Sequence, residues 1–270
     1  MCSRGAALHE SDGVTRRTGK VPAITLGFWI TKILATTLGE TGGDTVTMSM
    51  NWGYLAGTAL FLGALIVLVI LQIRERQFRP WLYWATIAAS TTAGTTMADF
   101  ADRSLGIGYA GGSLLLLACV AASLVLWYRS CGAITLEMAA DPKAEACYWL
   151  TITFSQTLGT ALGDWMADSR GMGYQKSALL FLLLLSLVAI AYYWTTISRV
   201  VLFWAAFVLT RPLGATVGDF LDKPVSHGGL ALSRPLATLV IGAAMILCVH
   251  LFASKPAERD AFSAVKVKER

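Results

Sequence analysis

The sequence predicts an all-α integral membrane protein: eight transmembrane helices forming four parallel two-helix repeats, grouped as two four-helix halves. Two observations carry that fold class. The 270 residues are 55% hydrophobic and only 14% charged, with nine Trp. Segments 55–73, 105–128, 178–198 and 236–253 are nearly uncharged and reach the roughly 18 residues or more that a helix needs to cross a bilayer. The second observation is a motif written four times without an insertion: FWITKILATTLGETGGD (28–44), YWATIAASTTAGTTMAD (83–99), YWLTITFSQTLGTALGD (148–164) and FWAAFVLTRPLGATVGD (203–219). Each copy runs aromatic, Trp, nine residues, Gly, four residues, Asp, a fixed spacing that marks a structural repeat.

In chain order, residues 1–20 are polar, lack the apolar core of a signal peptide and read as a flexible tail. The first half is 21–129, with helices expected over 24–44, 52–73, 81–99 and 106–128. Pro80, after the basic turn at 74–79, suits the first turn of a helix. A polar link, 130–146, leads to the second half, 147–253, with helices over 147–165, 173–195, 198–219 and 231–253. A charged tail, 254–270, closes the chain. Successive anchor glycines (39, 94, 159, 214) are 55, 65 and 55 residues apart, so the extra ten fall in the link.

A two-helix unit returns the chain to its starting side, so all four copies point the same way. The N-tail, the 74–79 turn and the C-tail are basic, whereas the opposite loops balance Arg103, Arg170, Lys176, Lys223 and Arg234 with Asp102, Asp168 and Asp222. An excess of Lys and Arg marks cytoplasmic segments. Both termini are therefore expected in the cytoplasm, in the inner (plasma) membrane, with the Gly-Asp ends toward the outside.

The motif has two chemical parts. Gly39/Gly43, Gly159/Gly163 and Gly214/Gly218, with Gly94 and Ala98 in the second copy, have the small-xxx-small spacing that brings membrane helices together at backbone distance. The aspartates Asp44, Asp99, Asp164 and Asp219 end stripes of oxygen-bearing side chains. Positions four and seven before each share its helical face and hold Glu40 and Thr37, Thr95 and Thr92, and Thr160 and Thr157. The fourth copy has Ala215 and Pro212. Such stripes must face protein or water, because lipid satisfies none of their hydrogen bonds.

Parallel repeats would bring four carboxylates to one depth. Four like charges repel, and a bound cation is the simplest way to hold them. Glu40, Asp44, Asp99, Asp164 and Asp219 are the expected ion ligands, lined by Thr37, Thr92, Thr95, Thr157 and Thr160. Asp102, Asp168 and Asp222 follow as an outer vestibule or as rim partners of Arg103, Arg170 and Lys223. Lys32 and Arg211 are the expected internal counter-charges, and Pro212 should weaken its helix locally. The five Cys are scattered and read as small apolar residues. No nucleophile elbow, P-loop or H-E-x-x-H helix is present, so no enzyme is expected, and no nucleic-acid partner.

The repeated G-x-x-x-[GA]-D pattern, with DWMADSRGMGY and TRPLGATVGDFLDKP, resembles a family of bacterial multi-span membrane proteins of unassigned function, over about 23–253. GETGGDT (39–45) is also similar to the E-x-G-D signature of small manganese and calcium exporters, with one extra residue between Glu40 and the Gly-Asp pair and no basic residue after Asp44.

Hard oxygen ligands suit Mn²⁺, Ca²⁺ or Mg²⁺ better than Cu⁺ or Zn²⁺. The expected function is a divalent-cation transporter, an exporter with Mn²⁺ as lead substrate. No permanently bound cofactor is expected, and protons are a candidate coupling ion. The alternatives are a passive cation channel through the same carboxylates, or a scaffold or sensor whose Gly-Asp motifs only pack helices.

Overall fold

The computed structural model describes residues 20–132, 134 and 141–252. Eight α-helices occupy them: α1 Leu26–Asp44, α2 Gly53–Arg74, α3 Pro80–Asp99, α4 Tyr109–Cys131, α5 Pro142–Asp164, α6 Tyr174–Trp194, α7 Arg199–Asp222 and α8 Arg234–Phe252. Five of them, α2, α4, α6, α7 and α8, are long and apolar enough to cross a membrane, as in a multi-pass membrane protein.

The odd-numbered helices form an inner ring, α1 on α3, α3 on α5, α5 on α7, and α7 back on α1. Each even-numbered helix packs outside the inner helix of the following repeat: α2 on α3, α4 on α5, α6 on α7 and α8 on α1. The outer helices turn Leu and Val outward, among them Leu55, Val67, Leu114, Leu183 and Leu239, all exposed. The inner helices α1, α3 and α5 carry their Thr, Glu and Asp inward, which is why they fall short on hydropathy while lying at the centre.

The anchor glycines explain the ring's closure. A methyl group at Gly39 would lie 2.5 Å from Thr91 Cβ, one at Gly94 3.0 Å from Gln156 Cβ, one at Gly159 2.5 Å from Arg211 Cβ, and one at Gly214 2.5 Å from Thr36 Cβ. In every case the partner is the residue three before the next repeat's glycine, and the fourth contact returns to the first helix. Only a residue without Cβ allows backbones this close. The same offset at all four interfaces requires the inner helices to be parallel and in register. Gly43, Gly163 and Gly218 add a second tier, against Thr95, Ala215 and Glu40.

One end of the ring is closed by aromatics with the same cyclic rule. Phe28 meets Trp84 at 5.4 Å between ring centres, Tyr83 meets Trp149 at 5.8 Å, Tyr148 meets Trp204 at 6.1 Å, and Phe203 meets Trp29 at 5.7 Å. Phe28, Tyr83, Tyr148 and Phe203 are buried, and the Tyr83 and Tyr148 hydroxyls share a 2.9 Å hydrogen bond. Lys20 docks here too: its Nζ lies 2.6 Å from Glu145 Oε2 and donates to the Gln72 carbonyl at 3.1 Å. Lys20 thus belongs to the folded body, while the rest of the 1–20 tail lies outside the described residues, as do 133 and 135–140 of the 130–146 link and the whole 254–270 tail. The link is also shorter than its sequence suggests. Asp141 accepts from Lys143 N at 2.9 Å, and α5 begins at Pro142, five residues before the boundary expected from apolarity.

At the other end, three repeats share a turn. A π-helical turn follows Asp44, Asp99 and Asp164 directly, at Thr45–Ser49, Phe100–Ser104 and Trp165–Ser169. Two residues with positive φ then lead into the outer helix: Asn51 and Gly53, Gly106 and Gly108, Gly171 and Gly173. Backbone of this kind favours glycine, which is why the sequences read GIGY and GMGY, with NWGY as the first variant. The fourth repeat departs. There α7 runs on to Asp222 and a loop, 223–233, folds back on it through Leu230 N to Phe220 O and Leu232 N to Leu221 O, at 2.8 and 2.9 Å. Nor does Pro212 interrupt α7, which is helical on both sides of it.

Candidate functional site: a buried acidic end

The acidic end is assembled from the C-termini of the inner helices. Asp44, Asp99, Asp164 and Asp219 are all at most 3% exposed. They do not form one fourfold ring. Asp44, Asp219 and Asp222 converge, each offering an oxygen within 4.8 Å of the others. Asp99 pairs instead with Arg103, one turn along its own chain, at 2.9 Å. Asp164 makes no ion pair among the described residues. Asp222, expected in an outer vestibule, is buried and belongs to the converging group because α7 extends past Asp219.

Two basic side chains flanking the fourth repeat's loop, Lys223 at its start and Arg234 at the first residue of α8, cap this group. Lys223 Nζ sits 2.8 Å from Asp44 Oδ2 and 3.0 Å from Asp219 Oδ1. Arg234 Nε lies 3.3 Å from Asp222 Oδ2 and 3.7 Å from Asp44 Oδ2. The Arg234 contact with Asp222 is an ion pair without hydrogen-bond geometry, so both Asp222 oxygens, and Asp44 Oδ1, remain without a hydrogen-bond donor among the described residues. Buried carboxylate oxygens left so are costly. Five buried aspartates (44, 99, 164, 219, 222) thus face three basic side chains (Arg103, Lys223, Arg234).

About one turn deeper, Arg211 crosses the axis. It is fully buried, pairs with Glu40 Oε2 at 3.0 Å, and donates to the Thr95 and Thr160 hydroxyls and, at 3.4 Å, to the Thr36 carbonyl. One side chain from α7 thereby binds α1, α3 and α5. It fits because Gly159 leaves room beside its Cβ. Glu40 is consequently held away from the Asp44 group, with Thr95 as a further donor at 3.2 Å. Thr37, Thr92 and Thr157 donate to carbonyls of their own helices, those of Ile33, Ala88 and Thr153, at 2.9–3.0 Å.

Lys32 does not act as a counter-charge to a carboxylate. Its Nζ is fully buried, has no hydrogen-bond partner among the described residues, and lies 4.1 Å above the Phe207 ring. It is one helical layer nearer the aromatic end than Arg211, and eight residues, roughly 12 Å, separate it from Glu40 along α1. Asp102 and Asp168 remain peripheral. Asp102 lies beneath Gly112, and the Tyr174 hydroxyl donates to Asp168 at 2.9 Å. Arg170 stacks on Trp165 with its guanidinium 4.9 Å from the ring centre, so it is no partner to Asp168.

Fold and site together define a closed ring of helical repeats of the multi-pass membrane type, sealed by aromatics at one end and acidic at the other. The four units 27–78, 82–132, 147–198 and 202–255 each match the family Repeat of Unknown Function (DUF347), and the chain belongs to that family. Each match is one inner helix with its outer helix. No curated protein and no solved structure matches the chain, and no link to the manganese and calcium exporters emerges.

Proposed function

We propose that the protein is a carrier of divalent metal cations, with Mn²⁺ as lead substrate and Asp44, Asp219 and Asp222 as the primary ligands. The carrying observation is their convergence within 4.8 Å in a buried setting. Two oxygens bound to one Ca²⁺ lie up to about 5 Å apart, and slightly less for smaller ions, so small movements close the group on one ion. Asp99 and Asp164 supply the remaining field, and an all-oxygen site favours Mn²⁺, Mg²⁺ or Ca²⁺.

A carrier fits better than an open pore. Arg211 fills the axis beneath the acidic end and the aromatic ring closes the far end, so an ion advances only if packed side chains rearrange. In this reading all eight helices span the inner membrane, with α1, α3 and α5 tolerated because outer helices shield them. The basic 74–79 turn and tails lie in the cytoplasm. The acidic end then faces outward, and export would deliver the ion there.

Binding tests the reading directly. Purified protein should bind Mn²⁺ with saturation in a calorimeter, and Asp44→Asn/Asp219→Asn should abolish it while still eluting as folded protein. Undiminished binding by that variant would refute the assignment.

A further inference from the structure

The fourth repeat alone lacks the π turn, and in its place stands the 223–233 loop, which is flanked by two cations. Lys223 opens it and Arg234 follows it. Its backbone is tied down by Ala231 N to Lys223 O at 2.9 Å, and Gly229 packs so closely on Lys223 that an added methyl would lie 2.7 Å from the Lys223 carbonyl carbon. The loop therefore has a definite shape, and that shape delivers two positive charges to three carboxylates.

Resting on the carrier reading, we propose that Lys223 and Arg234 are a tethered substitute for the divalent ion, leaving the carboxylates together when the ion binds and returning when it departs. The Lys223 ammonium lies within 3.0 Å of Asp44 and Asp219, in the space where an ion shared by those carboxylates would sit. Two cations cannot share that space, so entry of the ion requires the ammonium to leave. The exchange is matched in charge: two single positive charges go out and one double charge comes in. The net charge of the acidic end is therefore the same with the ion bound as with the two side chains in place, and the exchange adds no buried charge. Part of each side chain already borders the surface, 9% of Lys223 and 24% of Arg234, so the exchange requires a change of rotamer at each.

The test reads Lys223 in the wild-type protein. Acetylation of Lys223 by a water-soluble amine reagent, followed by mass spectrometry, should rise several-fold when MnCl₂ is added, and the rise should vanish in Asp44→Asn/Asp219→Asn. Calorimetry on Lys223→Gln should show Mn²⁺ binding at least about tenfold tighter, as removing a competitor that holds the site nine-tenths of the time requires. If the wild type binds Mn²⁺ but Lys223 labelling and Lys223→Gln affinity stay flat, the substitution idea is overturned and the carrier reading stands. If neither protein binds Mn²⁺, Ca²⁺ or Mg²⁺, both are overturned.

Discussion

Asp44, at the end of the first inner helix, and Lys223, just past the end of the fourth, form a 2.8 Å ion pair across 179 residues of sequence. This pair joins the two ends of the repeat series where the carboxylates gather. The glycine contact from Gly214 to Thr36 joins them again deeper in the bundle. Closure of the ring and construction of the acidic group are thus one event, to which glycine packing and ion pairing contribute separately.

The glycine ring sets the helix spacing. Gly159→Val should lower stability by about 1–3 kcal/mol through overpacking against Arg211 and Pro212. Gly63→Ala, where nothing lies within 4 Å, should be neutral or raise stability by up to about 1 kcal/mol through helix propensity. Thermal unfolding in detergent compares the two.

Arg211 and Glu40 should behave as a buried pair. Removing either partner, as in Arg211→Met or Glu40→Gln, should cost about 3–5 kcal/mol, because the other charge stays buried. Arg211→Met/Glu40→Leu should cost less than Arg211→Met alone. A double-mutant cycle in chemical denaturation measures this, and additive losses would show that the 3.0 Å contact is not a coupled pair.

At the aromatic end, Tyr83→Phe should cost about 1 kcal/mol by leaving the Tyr148 hydroxyl without its partner. Tyr83→Phe/Tyr148→Phe should cost no more than the single change, since both polar ends are then gone. Unfolding midpoints of the three variants check this.

Asp164 is the acidic-end carboxylate without a basic partner among the described residues. Asp164→Asn should therefore leave the unfolding temperature unchanged or raise it, by relieving like-charge repulsion. It should nevertheless weaken Mn²⁺ binding by removing one negative charge from the field. Stability and calorimetry on the same sample distinguish this from a packing role, in which both would be unaffected.

Much of this architecture is legible in the sequence because the repeat holds its spacing. Fixed Trp, Gly and Asp offsets place the four inner helices in register, and the small-xxx-small pairs mark where they touch. What spacing cannot reveal is where the copies differ. Arg211 replaces the Thr or Gln of the other repeats, and only the neighbouring Gly159 shows that its stem has room to cross the axis. The ring of four aspartates breaks up because Lys223 and Arg103 lie one turn beyond Asp219 and Asp99, whereas the equivalent positions are Met48 and Asp168. Asp222 joins the site because α7 gains an extra turn, which apolarity does not signal. The π turns had a readable mark, Gly-x-Gly-Tyr seven residues after Asp99 and Asp164, whose positive-φ requirement shows only once the backbone is in view.

The central claim is carriage of a divalent ion through the acidic end. Flux of Mn²⁺, Ca²⁺, Mg²⁺ and Zn²⁺ into proteoliposomes of the purified protein, run in parallel with Asp44→Asn/Asp219→Asn, tests it most directly. The account predicts saturable Mn²⁺ flux, little Zn²⁺ flux, and loss of both in the variant. Folded wild-type protein that moves none of the four ions, or a variant that moves Mn²⁺ as fast as the wild type, would contradict it.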